Sequence, residues 1–161
     1  MSGPEKYILL AEDDAVVAEL IMHALGQMDP RPHVVHVRDG VEALDYMYAR
    51  DQFQDRPPHG PAVMLLDVKM PKLDGIEVLR QIKSDERLKG TPVVMLTSSQ
   101  DERDVRESYA LGANAYVVKP VEFRNFARVL RHLAQFWLQI NHPPPENRVV
   151  ALAATAKCAP R

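Results

Sequence analysis

Five short apolar runs, each followed by a segment of helical periodicity, constrain this chain more than any other feature. The runs are five or six residues long and lie at 7–11, 33–37, 62–67, 92–97 and 115–119. Strands buried on both faces read as continuous apolar runs, and their alternation with helices is typical of parallel sheets with helical crossovers. Because such crossovers are right-handed, helices cover both faces. The sequence therefore predicts an α/β fold with a doubly wound, five-stranded parallel sheet.

The segments between the runs predict five helices. They lie at 14–27, 39–50, 74–84, 101–112 and 121–140. In the first, the residues assigned to the buried face are Val17, Leu20, Ala24 and Leu25. With 161 residues, 46% of them hydrophobic, the chain suits one globular domain, which we place at 1–140. The remainder, 141–161, holds three consecutive prolines and predicts a C-terminal arm or a disordered tail.

Charge and cysteine content exclude several classes of function. The formal net charge of −2 provides no basic field for nucleic acid or for a membrane surface. Cys158 is the single cysteine, so no disulfide framework can form within the chain and the cytoplasm is the expected compartment. No apolar run approaches the ~20 residues that a membrane span needs.

Carboxylates follow two of the predicted strands directly. Glu12 and Asp13 come after the first strand and Asp67 after the third, while Asp14 suits the N-cap of the next helix. The carboxyl ends of parallel strands form the ligand crevice of such sheets, so these acids converge there if the first and third strands are neighbours. At ~4 Å and an effective dielectric constant of ~20, each like-charge pair costs about 4 kcal/mol. Mg²⁺, which binds carboxylates, water and phosphate oxygens, would relieve that repulsion.

Two further residues complete a candidate phosphoryl-transfer site. Thr97 ends the fourth strand with a hydroxyl, and Lys119 ends the fifth with an ammonium group. Phosphoryl transfer depends on positioning and on neutralising the equatorial oxygens, which suits this set of groups. A carboxylate such as that of Asp67 can act as the nucleophile and form an aspartyl phosphate.

The chain resembles the receiver domain of two-component response regulators. The resemblance is carried by "AEDD" at 11–14, "LLDVKMPKLDG" at 65–75, "MLTSS" at 95–99 and "YVVKP" at 116–120, and it covers roughly 6–140. It implies a flavodoxin-like fold with strand order 2-1-3-4-5 and five helices. It also implies a phospho-accepting switch that works with a histidine kinase and Mg²⁺.

The resemblance assigns a metal-binding role to each residue of one group. Asp67 would be the phospho-acceptor and a metal ligand, and Asp13 would bind Mg²⁺ directly. Glu12 would act on the metal through water, and Lys69 would provide its backbone carbonyl. Lys69 and Ser99 would also flank the path of the attacking water and so tune the lifetime of the phosphoryl group.

A second group of residues is assigned to phosphate binding and switching. Thr97 would bind the phosphoryl group and change position, and Lys119 would pair with the acceptor or its phosphate. Tyr116 matches the aromatic residue whose rotamer reports activation, although a plain core aromatic is the alternative. The Lys119–Pro120 peptide bond is expected to be cis, as in the family.

The chain also resembles a narrower group, the small stand-alone regulators paired with phytochrome-type histidine kinases. This likeness rests on the polar loop at 51–61, on "SDERLKGTPVVMLTSS" and on "FWLQINHPPP". It implies a bacteriophytochrome as the kinase. Only about 20 residues follow the receiver region, so output through protein binding or phosphorelay is expected.

The last predicted helix carries more apolar residues than packing on one sheet requires. They step by 3, 4, 3, 4 and 3 residues in the manner of a coiled-coil seam: Phe123, Phe126, Leu130, Leu133, Trp137 and Ile140. Exposed apolar patches usually mark partner surfaces. We therefore predict a homodimer through this helix, extended by the C-terminal arm. The alternative is that the surplus packs under the chain's own tail.

Two other functions remain open on the residues alone. An aspartate-nucleophile phosphotransfer enzyme would use a similar Asp, Lys and hydroxyl set, but usually with a second Asp two residues after the nucleophile, where this chain has Lys69. A dimeric scaffold that never receives phosphate would need none of these groups, so the complete set weakens that reading.

Overall fold

The computed structural model describes residues 4–144, and its five strands form one parallel sheet. The strands are β1 (Tyr7–Ala11), β2 (His33–Val37), β3 (Val63–Leu66), β4 (Val93–Thr97) and β5 (Ala115–Val118). Their order is β2-β1-β3-β4-β5, and every neighbouring pair is parallel. The predicted α/β class, the strand number and the strand order are therefore confirmed.

Five α-helices connect and follow the strands. They are α1 (Ala15–Gly26), α2 (Gly40–Met47), α3 (Gly75–Ser84), α4 (Glu102–Ala110) and α5 (Phe123–Gln135). A short 3₁₀ turn lies at Asp51–Phe53. The predicted last helix changes character at its end, because Phe136–Ile140 forms a π-helical turn. The polar loop at 51–61 is mostly exposed, as the sequence suggests.

The helices form one hydrophobic core on each face of the sheet. Leu9 of β1 faces the core that includes α2 and α3. Its neighbours Ile8 and Leu10 face the opposite core, where α1 and α5 pack. This alternation follows from the two-residue period of a strand. It explains why the strands read as continuous apolar runs, since both faces are covered.

Aspartate side chains start four of the five helices. Asp14 accepts hydrogen bonds from the backbone N–H groups of Val16 and Val17, at 2.9 and 3.2 Å. Asp39, Asp74 and Asp101 cap α2, α3 and α4 in the same way. An N-cap carboxylate satisfies donors that have no partner within the helix. Each of these four helices therefore begins directly after its capping aspartate.

The predicted buried face of α1 is wrong at one position. Leu20 is 38% exposed, whereas Ala18 and Ile21 are buried beside the predicted Ala24 and Leu25. In α2, the aliphatic side chain of Val41 is likewise 42% exposed, although Ala43 and Leu44 of the same helix are buried. Helical periodicity locates a stripe only to within a residue or so, and packing against the sheet and the adjoining helix decides which flank is covered.

The expectation of a cis peptide bond at Lys119–Pro120 is wrong. Within residues 4–144 the cis bond is Asp29–Pro30, and Lys119–Pro120 is trans. The backbone N–H of Lys119 donates to the Thr97 carbonyl at 2.8 Å, so the pairing of β5 with β4 continues to this residue. The side chain of Lys119 reaches the acidic cluster from that position with a trans bond.

The boundary between the receiver domain and the C-terminal arm, placed after residue 140, stays a prediction. The described chain leaves regular structure after Ile140, and residues 145–161 of the proposed arm lie outside the described residues. None of the helices in the described part of the chain combines the length and the apolar character needed to cross a bilayer.

Candidate functional site

The ends of β1 and β3 bring three carboxylates together. The backbone N–H of Glu12 donates to the Val37 carbonyl at 3.1 Å, and that of Asp67 donates to the Ala11 carbonyl at 3.2 Å. These bonds extend the sheet pairing by one residue past each strand. One carboxylate oxygen from each of Glu12, Asp13 and Asp67 lies within 4.8 Å of the others. The convergence expected from the sequence is present.

Lys119 is the cation of this cluster. Its Nζ donates to Glu12 Oε2 at 2.7 Å and to Asp67 Oδ2 at 3.2 Å. Burial of Glu12 raises the pKa of its carboxyl to about 7, against the lowering effect of Lys119 and with a further rise from the charge of Asp67. The Lys119 ammonium group thus pairs with two nearly buried carboxylates, and the carboxylate of Asp13 lies beside them. The cluster is short of positive charge.

The donor set fits a hard divalent cation. The three groups offer carboxylate oxygens, and Asp13 is exposed while Glu12 and Asp67 are buried. Cations such as Mg²⁺ bind one or two carboxylates and keep several waters, so an open, partly exposed set of oxygens suits them. The excess of negative charge around Lys119 is the observation that supports binding of a cation here.

The loop from β3 to α3 packs directly on the carbonyl of Asp67. The Gly75 N–H donates to the Val68 carbonyl at 2.7 Å. A Cβ atom on Gly75 would stand 1.9 Å from the Asp67 carbonyl oxygen, so only glycine allows this approach. The sequence alone does not indicate this role, because an Asp-Gly pair such as that at 74–75 is most simply a turn and a helix start.

A second close approach anchors the same loop. A Cβ atom on Gly40 would stand 2.1 Å from the Leu73 carbonyl oxygen. Lys72, which adopts a positive φ of 66°, donates from Nζ to Asp39 Oδ2 at 3.0 Å. Lys69, the predicted provider of a backbone carbonyl, lies exposed in this loop. The loop that carries Lys69 is therefore held against the start of α2.

The loop from β4 to α4 centres on Ser99. Thr97 is buried, and its Oγ1 accepts a hydrogen bond from the Ser99 N–H at 3.2 Å. The Ser99 hydroxyl donates to Asp104 Oδ2 at 2.6 Å, and the Tyr116 hydroxyl donates to the Ser99 carbonyl at 3.0 Å. The sequence placed Thr97, Ser99 and Tyr116 near one another. It missed Asp104, which lies inside α4 and outside every motif.

The structure divides the predicted dimer seam between the core and the surface. Phe126 and Leu130 are buried in the core beneath α1 and α5, so they are not available to a partner. Leu133 and Trp137 are partly buried against the same core. At the two ends of the seam, Phe123 is 42% and Ile140 is 63% exposed. Phe136, which widens the predicted seam, is 43% exposed.

Comparison with known proteins now settles the family. The sequence profile of the response regulator receiver domain matches residues 8–131. The chain belongs to the response regulator receiver domain family. Receiver domains are phospho-accepting signalling switches of two-component systems, and their partner is a histidine kinase.

Two curated relatives align with most of this receiver. The probable methanogenesis regulatory protein FilR2 of Methanothrix harundinacea is 39% identical over 137 residues, which cover 85% of this chain and 86% of that protein. The response regulator Rcp1 of Synechocystis is 35% identical over 138 residues, covering 86% and 92%.

Solved structures of phytochrome response regulators share the fold. Phosphorylated cyanobacterial RcpA superposes with a TM-score of 0.82 at 37% identity, covering 88% of this chain and 99% of RcpA. The Mn²⁺-bound form of Rcp1 gives 0.80 at 34%, covering 86% and 99%. The bacteriophytochrome response regulator RtBRR gives 0.70 at 47%, covering 96% of each chain. This receiver is thus homologous to phytochrome response regulators.

Proposed function

We propose that Asp67 of this receiver accepts a phosphoryl group from a histidine kinase. The observation that carries the proposal is the position of Asp67, which hydrogen-bonds Lys119 and converges with Glu12 and Asp13 at the carboxyl edge of the sheet. An oxygen of the Asp67 carboxylate would form the new P–O bond. The P–N bond to the kinase histidine would break, and its electron pair would remain on the imidazole.

The neighbouring side chains support that transfer. Lys119 would move from the carboxylates to the phosphoryl oxygens as their charge appears, and the Thr97 hydroxyl, whose oxygen accepts from Ser99 N–H, still has its proton to donate to the phosphoryl group. Mg²⁺ bound by Asp13, Asp67, the Lys69 carbonyl and, through water, Glu12 would neutralise charge on the phosphoryl oxygens.

The test is incubation of the full chain with acetyl phosphate and Mg²⁺, followed by intact mass spectrometry. We expect the mass of one added phosphate, and none when EDTA replaces Mg²⁺. Absence of any adduct, both with acetyl phosphate and with a phosphorylated histidine kinase, would refute the proposal.

We expect Asp13→Ala to weaken divalent-cation binding by at least tenfold. It removes the exposed carboxylate of the cluster, and loss of even an outer-shell partner of a metal ligand costs about 10–100-fold in metal affinity. Titration calorimetry with Mg²⁺ or Mn²⁺ measures the effect. Asp14→Asn is the matched control, since it removes the adjacent charge while an Asn side chain keeps the N-cap of α1. Equal affinities for the two variants would contradict the assignment.

We propose that this receiver acts as a switch and turns over no small phosphate ester. Lys69 occupies the position, two residues after the acceptor, at which aspartate-nucleophile phosphatases place a general acid. Release of more than one equivalent of phosphate from a small monoester, lost in the Asp67→Asn variant, would contradict this.

We propose a phytochrome-type histidine kinase as the donor, and the cytoplasm as the place of transfer. RtBRR, a bacteriophytochrome response regulator, is 47% identical to this chain, and a single cysteine suits a reducing compartment. Three exposed apolar side chains near the site offer a surface to which the kinase could bind: Val16 at the start of α1, and Val121 and Phe123 at the start of α5. Phosphotransfer should be faster from a bacteriophytochrome kinase than from an unrelated histidine kinase, and equal rates would argue against this pairing.

We propose a homodimer that uses the exposed end of the last helix. Phe136 and Ile140 are both exposed at the π-helical turn. Ile140→Ser should lower the dimer fraction in analytical ultracentrifugation. Val41→Ser, which changes an exposed aliphatic residue on α2, should leave it unchanged. Trp137 is a poorer probe, because its ring packs on the protomer's own core. A monomeric wild-type chain would contradict the proposal.

A further inference from the structure

Ser99 is bonded through every one of its polar groups. Its N–H donates to Thr97 Oγ1, and its carbonyl accepts from the Tyr116 hydroxyl. Its hydroxyl donates to Asp104 Oδ2 and accepts from the Asp101 N–H at 3.3 Å. The residue that follows Thr97 by two positions is thus locked by contacts from β4, β5 and α4.

The bond to Asp104 determines what the Ser99 hydroxyl can still do. A serine hydroxyl has one proton and two lone pairs. The proton lies on the bond to Asp104, which at 2.6 Å has the length of a strong, charge-assisted hydrogen bond. One lone pair takes the Asp101 N–H. A single lone pair remains, so the hydroxyl can accept a further hydrogen bond but cannot donate one.

Asp104 is well suited to hold this arrangement. It lies in the first turn of α4, where the helix dipole favours a negative side chain. Burial raises the pKa of Tyr116, whose hydroxyl donates to the Ser99 carbonyl, and the charges of Asp104, Asp101 and Asp67 raise it further, so this loop lies within electrostatic range of the acceptor carboxylate. The Asp104–Ser99 pair therefore belongs to the surroundings of the acceptor, although it is not part of the acidic cluster.

We propose that Asp104 is a positioning residue that orients the Ser99 hydroxyl and thereby shortens the lifetime of the phosphoryl group on Asp67. In that step the oxygen of a water molecule forms a bond to phosphorus, and the bond between phosphorus and Asp67 breaks. The electron pair leaves with the Asp67 carboxylate. Both water protons end on the product, dihydrogen phosphate, so charge and atoms balance. This inference rests on the proposed function of Asp67.

The physical reason is the direction of one hydrogen bond. With its proton held by Asp104, the Ser99 oxygen presents a lone pair to an approaching water. A water that donates a proton to that oxygen turns its own lone pair away from Ser99 and towards the phosphoryl group. Without Asp104 the hydroxyl rotates and donates to water or phosphate, which directs the water's lone pair to Ser99 itself.

The experiment measures loss of the phosphoryl group after removal of excess acetyl phosphate, by intact mass against time. We expect Asp104→Ala to lengthen the lifetime roughly three- to tenfold, the factor that one hydrogen bond provides. Asp104→Asn, which keeps an acceptor oxygen, should restore most of the wild-type rate. Glu102→Gln is the control, because it removes a charge from the same helix turn, where Glu102 pairs with Arg106. Its phosphoryl lifetime should match that of the wild type.

A second comparison separates positioning from a general structural effect. Ser99→Ala should lengthen the lifetime as Asp104→Ala does, and the double variant should equal Ser99→Ala alone, because Asp104 acts only through Ser99. An unchanged or shorter lifetime in Asp104→Ala, or an equal effect of Asp104→Ala with and without Ser99, would overturn the inference. If the wild type is labelled but the lifetimes of the variants are unchanged, the proposed function stands and the inference about Asp104 fails. If the wild type is not labelled, the proposed function and the inference both fail.

Discussion

We expect the Asp67→Asn variant to take up no phosphoryl group from acetyl phosphate, while the wild-type receiver gains one. The amide has the shape of the carboxylate but is not a nucleophile, so the P–O bond cannot form. Lys119 bonds Glu12 at 2.7 Å independently of Asp67, so we expect the site to retain its architecture in the variant. Intact mass spectrometry under identical conditions measures the difference, and the expected effect is complete loss of the adduct.

Asp74, seven residues after the acceptor, provides a matched control for this variant. Asp74→Asn removes a carboxylate from the same loop, and the Asn side chain preserves the N-cap of α3. This variant should be labelled as the wild type is. Wild-type labelling of Asp67→Asn would mean that another group accepts the phosphoryl, and the assignment of the acceptor would then fail.

Gly75→Ala should produce the largest loss of stability among single methyl additions to the described glycines near the site. Its new Cβ would stand 1.9 Å from the carbonyl oxygen of Asp67 and 2.8 Å from the carbonyl carbon. Both are backbone atoms at the end of a buried strand, so no side-chain rotation can relieve the clash. We expect the free energy of unfolding to fall by about 3 kcal/mol, the upper part of the range for overpacking.

Gly90→Ala is the comparison that isolates the clash. A Cβ at Gly90 would have no heavy atom within 4 Å, so its stability should stay within about 0.5 kcal/mol of the wild type. Urea unfolding of the three proteins measures both changes. Because the Gly75 clash displaces the backbone of the acceptor, labelling of Asp67 in that variant should also fall. Equal stability of the two variants would contradict the close approach.

The site was accessible from the sequence because its residues follow strands. Strand periodicity is a local property, and parallel strands end at a common edge. Glu12, Asp13 and Asp67 meet there because the first and third strands are neighbours, an order that the family resemblance implied. Thr97 and Lys119 were found for the same reason. Asp104 was not, because its contact with Ser99 depends on where α4 starts and how it is oriented, which no local pattern records.

The seam of the last helix shows the limit of such patterns. Spacing alone made Phe126, Leu130 and Ile140 equivalent, yet the first two are buried and Ile140 is 63% exposed. An apolar stripe wider than one sheet face can be covered from either side. Only the positions of α1 and the sheet decide how many of its residues remain exposed. The π-helical turn at Phe136–Ile140 then redirects the end of the helix.

The sequence by itself determined the class of fold, the succession of strands and helices, and the residues at the carboxyl edge of the sheet. These follow from hydrophobic periodicity and chain order, which act over a few residues at a time. Tertiary structure alone decided the contact of Gly75 with the acceptor carbonyl, the lock of Asp104 on Ser99, and the apolar residues left for a partner. Each of those depends on distances between elements far apart in the chain, and packing sets such distances.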